Sequence, residues 1–287
     1  MQVQVELVSA FIDGDSGGNL AGVVLDADAL SNQQKLAVAQ AVGLSETAFV
    51  SRSATADFKL DFFTPQRQIA HCGHATIATF NLLQQLGRVP APASCKETID
   101  GIRAVNIEGR AAFMQQRAPQ YQRVAEDQDK ILAALGLTAG QLMAEPLRVD
   151  TGNGFIVVAL DSPASLAGVL PDQSLLAALS DKYDLVGFYV FCRQSNMAGR
   201  DASTRMFAPR YGIAEESATG MAAGPLACYL HDKLGLSKTE YLIEQGYAMQ
   251  PVSPSVISVR LQTEQGNISG LYAGGSARRV DGKTVTI

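Results

Sequence analysis

The stretch Cys72-Gly-His-Ala-Thr-Ile-Ala-Thr-Phe-Asn-Leu-Leu83 has a counterpart much further along the chain, Thr219-Gly-Met-Ala-Ala-Gly-Pro-Leu-Ala-Cys-Tyr-Leu230. In both stretches a glycine precedes a run whose apolar residues spread around most of a helix. A helix that is apolar on most of its circumference is normally buried. Each half of the chain is therefore predicted to contain a central helix surrounded by strands.

Shorter motifs repeat in the same order as the two helices. Gly18-Asn19 is followed by a Val-Val pair, and so is Gly152-Asn153; Phe63-Thr-Pro65 returns as Phe207-Ala-Pro209. Related segments separated by more than a hundred residues indicate two domains of one fold rather than a short-period solenoid.

The predicted fold is accordingly α/β (α+β), with two similar domains. The first is expected to contain residues 1–117 and the second residues 120–274, with a linker at 116–119. A last strand near 275–287 is expected to pair back onto the first domain.

Composition limits the class of protein. The 287 residues are 47% hydrophobic and carry a formal net charge of −5, without the basic runs that bind phosphate backbones, so nucleic-acid binding is not expected. The N-terminus lacks a signal-peptide pattern, and no apolar stretch is long enough to cross a bilayer. The four cysteines have no regular spacing. These features predict a cytoplasmic protein with reduced thiols and no membrane contact.

The two glycine-containing helix starts are candidate ligand sites. A helix N-terminus presents unpaired amides and the positive end of the helix dipole, and it therefore favours a carboxylate. Gly73 and Gly220 would allow a ligand to approach the backbone closely. Each glycine alone is equally consistent with a tight turn, but the repetition favours a site for a small carboxylic acid in a cleft between the domains.

Three side chains near these turns are candidate catalytic groups. Glu46 lies between a predicted helix and strand; such a residue is usually solvated, but a buried glutamate has a raised pKa and can exchange protons near neutral pH. His74 begins the first central helix and suits hydrogen bonding or proton transfer. Glu216 lies close before Thr219-Gly220.

His71-Cys-Gly-His74 also raises the question of a metal. Ligands so close in sequence point in unsuitable directions, so no metal is expected, and the absence of nucleotide-binding loops predicts no cofactor. Cys72 at a helix start is a candidate low-pKa thiol. Its counterpart is Thr219, which argues against a two-cysteine racemase. His71 and His231 are interpreted as ordinary surface or packing residues.

Taken together, the motifs resemble the PhzF family of phenazine-biosynthesis isomerases, within the diaminopimelate epimerase fold. The resemblance runs from about Val8 to near the C-terminus and includes Leu44-Ser-Glu-Thr-Ala-Phe49, Cys72-Gly-His-Ala-Thr76 and Glu244-Gln-Gly246. It implies two domains, each a barrel-like, mostly antiparallel sheet around a central helix, assembled as a homodimer without cofactor or metal. It also implies that Glu46 is the acid/base, that His74 lines the site, and that the substrate is a dihydro-hydroxyanthranilic acid.

The chain departs from the family pattern beside the second central helix. Glu216 replaces an aspartate, and Met221 replaces a polar residue. A more apolar or differently shaped acid is therefore expected, and the alternative is a binding or interaction protein that has kept the fold without the reaction. The residues expected to contact the substrate, besides catalytic Glu46, His74 and Glu216, are Asn19, Ser45, Cys72, Gly73, Thr219, Gly220 and Met221.

Overall fold

The computed structural model describes all residues from Met1 to Ile287 and divides them into two compact units. The first unit contains Met1–Gln115 together with Gly274–Ile287, and the second contains Gln116–Ala273. In sequence, the second unit is therefore an insertion into the first.

The first unit contains two helices, α1 (Asn32–Val42) and α2 (Gly73–Gln85). Helix α1 begins with a capping box formed by Ser31 and Gln34, and it ends at Gly43, whose φ of 73° is the left-handed conformation that glycine adopts easily. The strands in this part of the chain are β1 (Gln2–Ala10), β2 (Asn19–Val24), β3 (Thr47–Ser51), β4 (Phe58–Phe63), β5 (Gln68–Ile69), β6 (Ala93–Thr98), β7 (Gly101–Glu108) and β8 (Ala111–Arg117).

Helix α2 is the centre of the first unit. Every residue from Gly73 to Leu83 is buried, and the helix packs against β1, β2, β3 and β7. Its Phe80 ring meets Phe58 edge to face, with 5.8 Å between ring centroids. The predicted central helix is confirmed, and its N-terminal turn is held inside the unit by packing on several sides.

The second unit has its own central helix. Its helices are α3 (Gln128–Leu135), α4 (Pro163–Ala167), α5 (Gln173–Tyr183) and α6 (Gly220–Asp232). The remaining strands are β9 (Gln120–Arg123), β10 (Leu147–Asp150), β11 (Gly154–Leu160), β12 (Gly187–Cys192), β13 (Ala202–Ala208), β14 (Ile213–Glu216), β15 (Glu240–Gln245), β16 (Ser255–Glu264) and β17 (Asn267–Thr286). The central helix is α6, which packs against β10, β11 and β16.

The order of strand pairings repeats between the units. Strands β1 to β4 pair antiparallel, parallel and antiparallel in succession, and β10 to β13 do the same. Strand β4 then pairs in parallel with β6 and β6 antiparallel with β7, as β13 does with β15 and β15 with β16. The predicted fold class, two similar mixed α/β halves with mostly antiparallel sheets around a central helix, is confirmed.

One local prediction is wrong. The expected linker at 116–119 is partly strand, because β8 continues to Arg117 and the Gln116 side chain is buried. The C-terminal segment pairs antiparallel with β1, Gln2 opposite Thr286, as expected, and it is the end of the longer strand β17. Gly274 lies within β17, where a Cβ would come within 2.1 Å of the Ala112 carbonyl oxygen, so this glycine permits close approach to β8 rather than ending a strand.

No helix combines the length and the apolar character needed to cross a bilayer.

Candidate active site

Two chain segments build the site in the first unit. One is the short loop after α1, which ends at Glu46 just before β3; the Glu46 carbonyl accepts a hydrogen bond of 3.1 Å from the amide of Gly22 on β2. The other is the turn at Cys72, directly before the first residue of α2. Both segments are fixed by regular structure on either side, so the side chains they carry are held in place.

Glu46, Cys72 and His74 come together in the interior. The Nε2 atom of His74 lies 3.3 Å from Oε2 of Glu46, and the Sγ atom of Cys72 lies 3.6 Å from Nδ1 of the same ring. Glu46 is only 5% exposed, and the other two side chains are equally buried. The imidazole thus lies between a thiol and a carboxylate, with one ring nitrogen facing each.

The thiol is a proton donor in this arrangement. Burial raises the pKa of Cys72, and although the nearby His74 acts in the opposite direction, Glu46 adds to the increase. The expectation of a low-pKa thiol at the helix start is therefore wrong, because the loss of solvation outweighs the effects of His74 and of the Ala75 amide, which lower the pKa. With the thiol protonated, Cys72 can donate to Nδ1 of His74, while Nε2 of the same ring faces the Glu46 carboxylate at 3.3 Å.

The same three residues are a candidate metal site by distance, because one donor atom from each lies within 4.8 Å of the other two. A single ion needs its ligands to face one point. Here the ring presents Nδ1 to the thiol and Nε2 to the carboxylate, so no single ring nitrogen faces both partners.

The first turn of α2 carries two of these three groups, Cys72 directly before it and His74 within it. Gly73 is the first helical residue, and the side chain of the preceding Cys72 makes no capping hydrogen bond. The amides of this turn therefore have no cap from the Cys72 side chain, and they lie at the end of the helix that attracts negative charge.

The other predicted residues of this unit lie in different settings. Asn19 is buried at the start of β2, whereas Ser45 is exposed beside Glu46 in the chain. The structure thus brings together Glu46, Cys72 and His74 among the predicted site residues of the first unit.

The second unit builds an equivalent turn with different side chains. Glu216 is buried at the end of β14 and accepts a hydrogen bond from the hydroxyl of Thr219. Gly220 is the first residue of α6, and Met221 after it is half-buried. The turn that begins α6 thus carries a carboxylate and a hydroxyl, without the imidazole and the thiol of the first unit.

Sequence reasoning missed the side chain that holds this turn. Gln245 Nε2 donates to the Glu216 carbonyl at 2.6 Å, and its Oε1 accepts from the Thr219 amide at 3.1 Å and from the Tyr189 hydroxyl at 2.9 Å. The signal was present, because Gln245 belongs to the quoted Glu244-Gln-Gly246 motif, but its role depends on partners 26 or more residues away in sequence.

Gln116, expected in a linker, also supports the turn. Its Nε2 donates to the carbonyl of Gly220 at 2.9 Å, and its Oε1 accepts from the Thr151 hydroxyl at 2.7 Å. Two buried glutamine side chains therefore fix the backbone on either side of the start of α6.

Comparison with known proteins agrees with this architecture. A family model described as phenazine biosynthesis-like protein, PhzC-PhzF, matches residues 8–286. The chain belongs to this family. The resemblance inferred from the motifs is thereby confirmed.

Several PhzF relatives are isomerases by name. The chain is 33% identical over 237 residues to trans-2,3-dihydro-3-hydroxyanthranilate isomerase of Pseudomonas aeruginosa, with 78% of each chain covered. It is 32% identical over 238 residues to the isomerase YddE of Escherichia coli K12, with 80% of each covered. A crystal structure of a PhzF-family protein from Bacillus anthracis has a TM-score of 0.92 at 24% identity, with both chains fully covered, and supports the fold.

Proposed function

We propose that this protein is a cofactor-independent isomerase or epimerase of a small carboxylic acid, and that Glu46 transfers the proton. The observation that carries the proposal is the buried carboxylate of Glu46, 3.3 Å from His74 at the turn that begins α2. A carboxylate in a water-poor setting is a stronger base towards a carbon acid than a solvated one, because burial disfavours its charge.

The proton transfer has two steps. The Glu46 carboxylate removes a proton from an acidic carbon of the substrate, and the electron pair of the broken C–H bond moves into the conjugated system of the acid. Glu46, now a carboxylic acid, returns the proton to another carbon or to the opposite face. The substrate and the product have the same composition, so no oxidant or reductant is required.

His74 and Cys72 are proposed to position the carboxylate of Glu46. Nε2 of His74 lies 3.3 Å from Glu46, while the Cys72 thiol lies 3.6 Å from the other ring nitrogen. The first-turn amides of α2 are proposed to bind the substrate carboxylate and to stabilise the charge that develops when the proton leaves. Asn19 and Ser45 remain proposed substrate contacts.

The turn of the second unit is proposed to contribute Glu216, Thr219, Gly220 and Met221 to function. Glu216 carries one methylene more than the aspartate of the family pattern, and Met221 is apolar where a polar residue is usual. These two changes favour a substrate other than the dihydro-hydroxyanthranilate named for the Pseudomonas aeruginosa relative. We further propose that the protein acts in the cytoplasm as a homodimer.

The test compares Glu46→Gln with Glu108→Gln, a matched change at an exposed glutamate at the end of β7. Cyclic and amino carboxylic acids, including trans-2,3-dihydro-3-hydroxyanthranilate, are first screened by thermal shift. Each acid that stabilises the protein is then incubated with it in D2O and followed by NMR for isomerisation and deuterium incorporation.

We expect Glu46→Gln to keep the thermal shift and to lower turnover by about 10²–10⁴-fold, the range typical of removing an acid/base group. Glu108→Gln should resemble the wild type. Undiminished turnover in Glu46→Gln would refute the role of Glu46. Acids that stabilise the wild type without isomerising or gaining deuterium would instead identify a binding protein.

A further inference from the structure

A lysine is completely buried beside the turn that carries Cys72 and His74. Lys96, on β6, has no exposed surface, and its Nζ atom lies 2.5 Å from the Thr76 hydroxyl and 3.3 Å from Nδ1 of His71. The Phe62 ring covers it, with its centroid 4.8 Å from Nζ. Nothing in the proposed proton transfer uses this amine.

The two partners of Lys96 flank the site turn in sequence. Thr76 links Lys96 to Cys72, because the Thr76 hydroxyl also donates a hydrogen bond of 2.6 Å to the carbonyl of Cys72. The same carbonyl accepts a second hydrogen bond, of 3.3 Å, from the Thr76 amide. His71 is the residue directly before Cys72. Lys96 is therefore connected to the segment 72–74 from both of its ends.

The position of Lys96 is costly, which argues for a specific role. Burial lowers the pKa of Lys96 to about 7, although Cys72 and Asp100 act in the opposite direction and Arg103 adds to the decrease. An apolar side chain of similar length would fill the same space without this penalty.

The protonation state of His71 is consistent with its contact with Lys96. Burial, and secondly the nearby Lys96, hold the pKa of His71 well below its usual range. A neutral His71 ring can accept a hydrogen bond from the amine at Nδ1. His71 is thus a partner of Lys96 rather than the ordinary packing residue expected from the sequence.

We propose that Lys96 is a positioning residue of the site, which, through Thr76 and His71, fixes the Cys72–His74 turn and with it the contact between His74 and Glu46. Its effect on turnover rests on the proposed function. Its effect on His74 does not, and can be measured without a substrate.

The chain offers a matched pair of variants for the link between Lys96 and Cys72. Thr76→Val keeps the volume of the side chain and removes the hydroxyl, whereas Thr76→Ser keeps the hydroxyl. Lys96→Met removes the amine and keeps the length of the side chain. With only three histidines in the chain, the ring nitrogens of His74 can be followed by NMR in protein labelled at histidine and assigned with His71→Gln and His231→Gln.

We expect the ring-nitrogen signals of His74 in Thr76→Ser to match those of the wild type, because the contacts with Cys72 and Glu46 are kept. In Thr76→Val and Lys96→Met these signals should shift, because the position of the ring against Cys72 and Glu46 is no longer fixed. With a substrate in hand, the same two variants should lose about 10- to 100-fold in kcat and change KM less, since a misplacement of about 1 Å costs that much.

The proposal would be overturned if the NMR signals of His74 were unchanged in folded Thr76→Val and folded Lys96→Met. Lower stability of these variants would not rescue it, because a purely structural role of Lys96 would also lower stability. If Lys96→Met does not fold, Thr76→Val against Thr76→Ser decides. A wild type that isomerises no acid would refute the proposed function while the His74 signals still report on Lys96.

Discussion

Replacing Lys96 with methionine should change how the stability of the first unit depends on pH. The amine has a usual pKa of 10.5, and burial lowers it to about 7 in the folded protein. Between these two values the unfolded chain binds more protons than the folded chain. The free energy of unfolding of the wild type therefore rises with pH in this range, and the contribution is absent in Lys96→Met.

The magnitude follows from the two pKa values. They differ by about 3.5, and each unit corresponds to about 1.36 kcal/mol, so the full penalty at low pH is about 5 kcal/mol. Between pH 7.0 and 8.5 the wild type should recover about 1.6 kcal/mol of it. The hydrogen bond to Thr76 that Lys96→Met also removes contributes about 1 kcal/mol at either pH and cancels in the comparison.

The assay is urea-induced unfolding of both proteins at pH 7.0 and 8.5, followed by the NMR signals of α2, which report on the unit that contains Lys96. The stability of the wild type relative to Lys96→Met should increase by about 1.6 kcal/mol at the higher pH. Lys283→Met, at an exposed position of the same unit, is the control and should show no such change. An unchanged difference between wild type and Lys96→Met would refute the reasoning, because it would mean that the amine remains charged in the fold.

Two further predictions test the turns. Cys72→Ser should lower turnover by less than about tenfold, because the raised pKa of the thiol keeps it protonated and it does not act as the base. Loss of an acid/base group costs about 10²–10⁴-fold. A loss as large as that of Glu46→Gln, measured in the same proton-transfer assay, would contradict this prediction. Gly246→Ala should destabilise the second unit by about 1–3 kcal/mol in urea unfolding, since φ is +82° and a Cβ would lie 2.0 Å from the Ser253 carbonyl oxygen. Gly235→Ala is its control, with a φ of +69° and no neighbour within 4 Å, and equal losses in the two variants would show that the contact with Ser253 is unimportant.

Local signals predicted the elements that position the site. The capping box at Ser31 and the glycine at 43 define α1, and the all-round apolar pattern after Gly73 defines a buried α2. Each depends on residues within one or two helical turns, so single-sequence reasoning reaches them. The Glu46 loop follows directly from the end of α1.

Long-range partners explain what the sequence did not predict. In β6, Lys96 is fully buried, although lysine is usually exposed, whereas Cys95 is only half-buried. The partners of Lys96 are Thr76 and His71, both at least 20 residues away in sequence. Gln116 and Gln245 are similar cases, because a buried amide is acceptable only where the fold supplies backbone groups for it to bind.

The insertion of the second unit into the first affects how the chain folds during synthesis. Domains generally fold as they emerge from the ribosome, N-terminal first. Here β1 pairs with β2 on one side but has its second antiparallel partner at the end of β17, so the nascent first unit keeps an open sheet edge until that part of β17 is translated. The second unit, continuous in sequence, is therefore the one that can fold first, although it is made later.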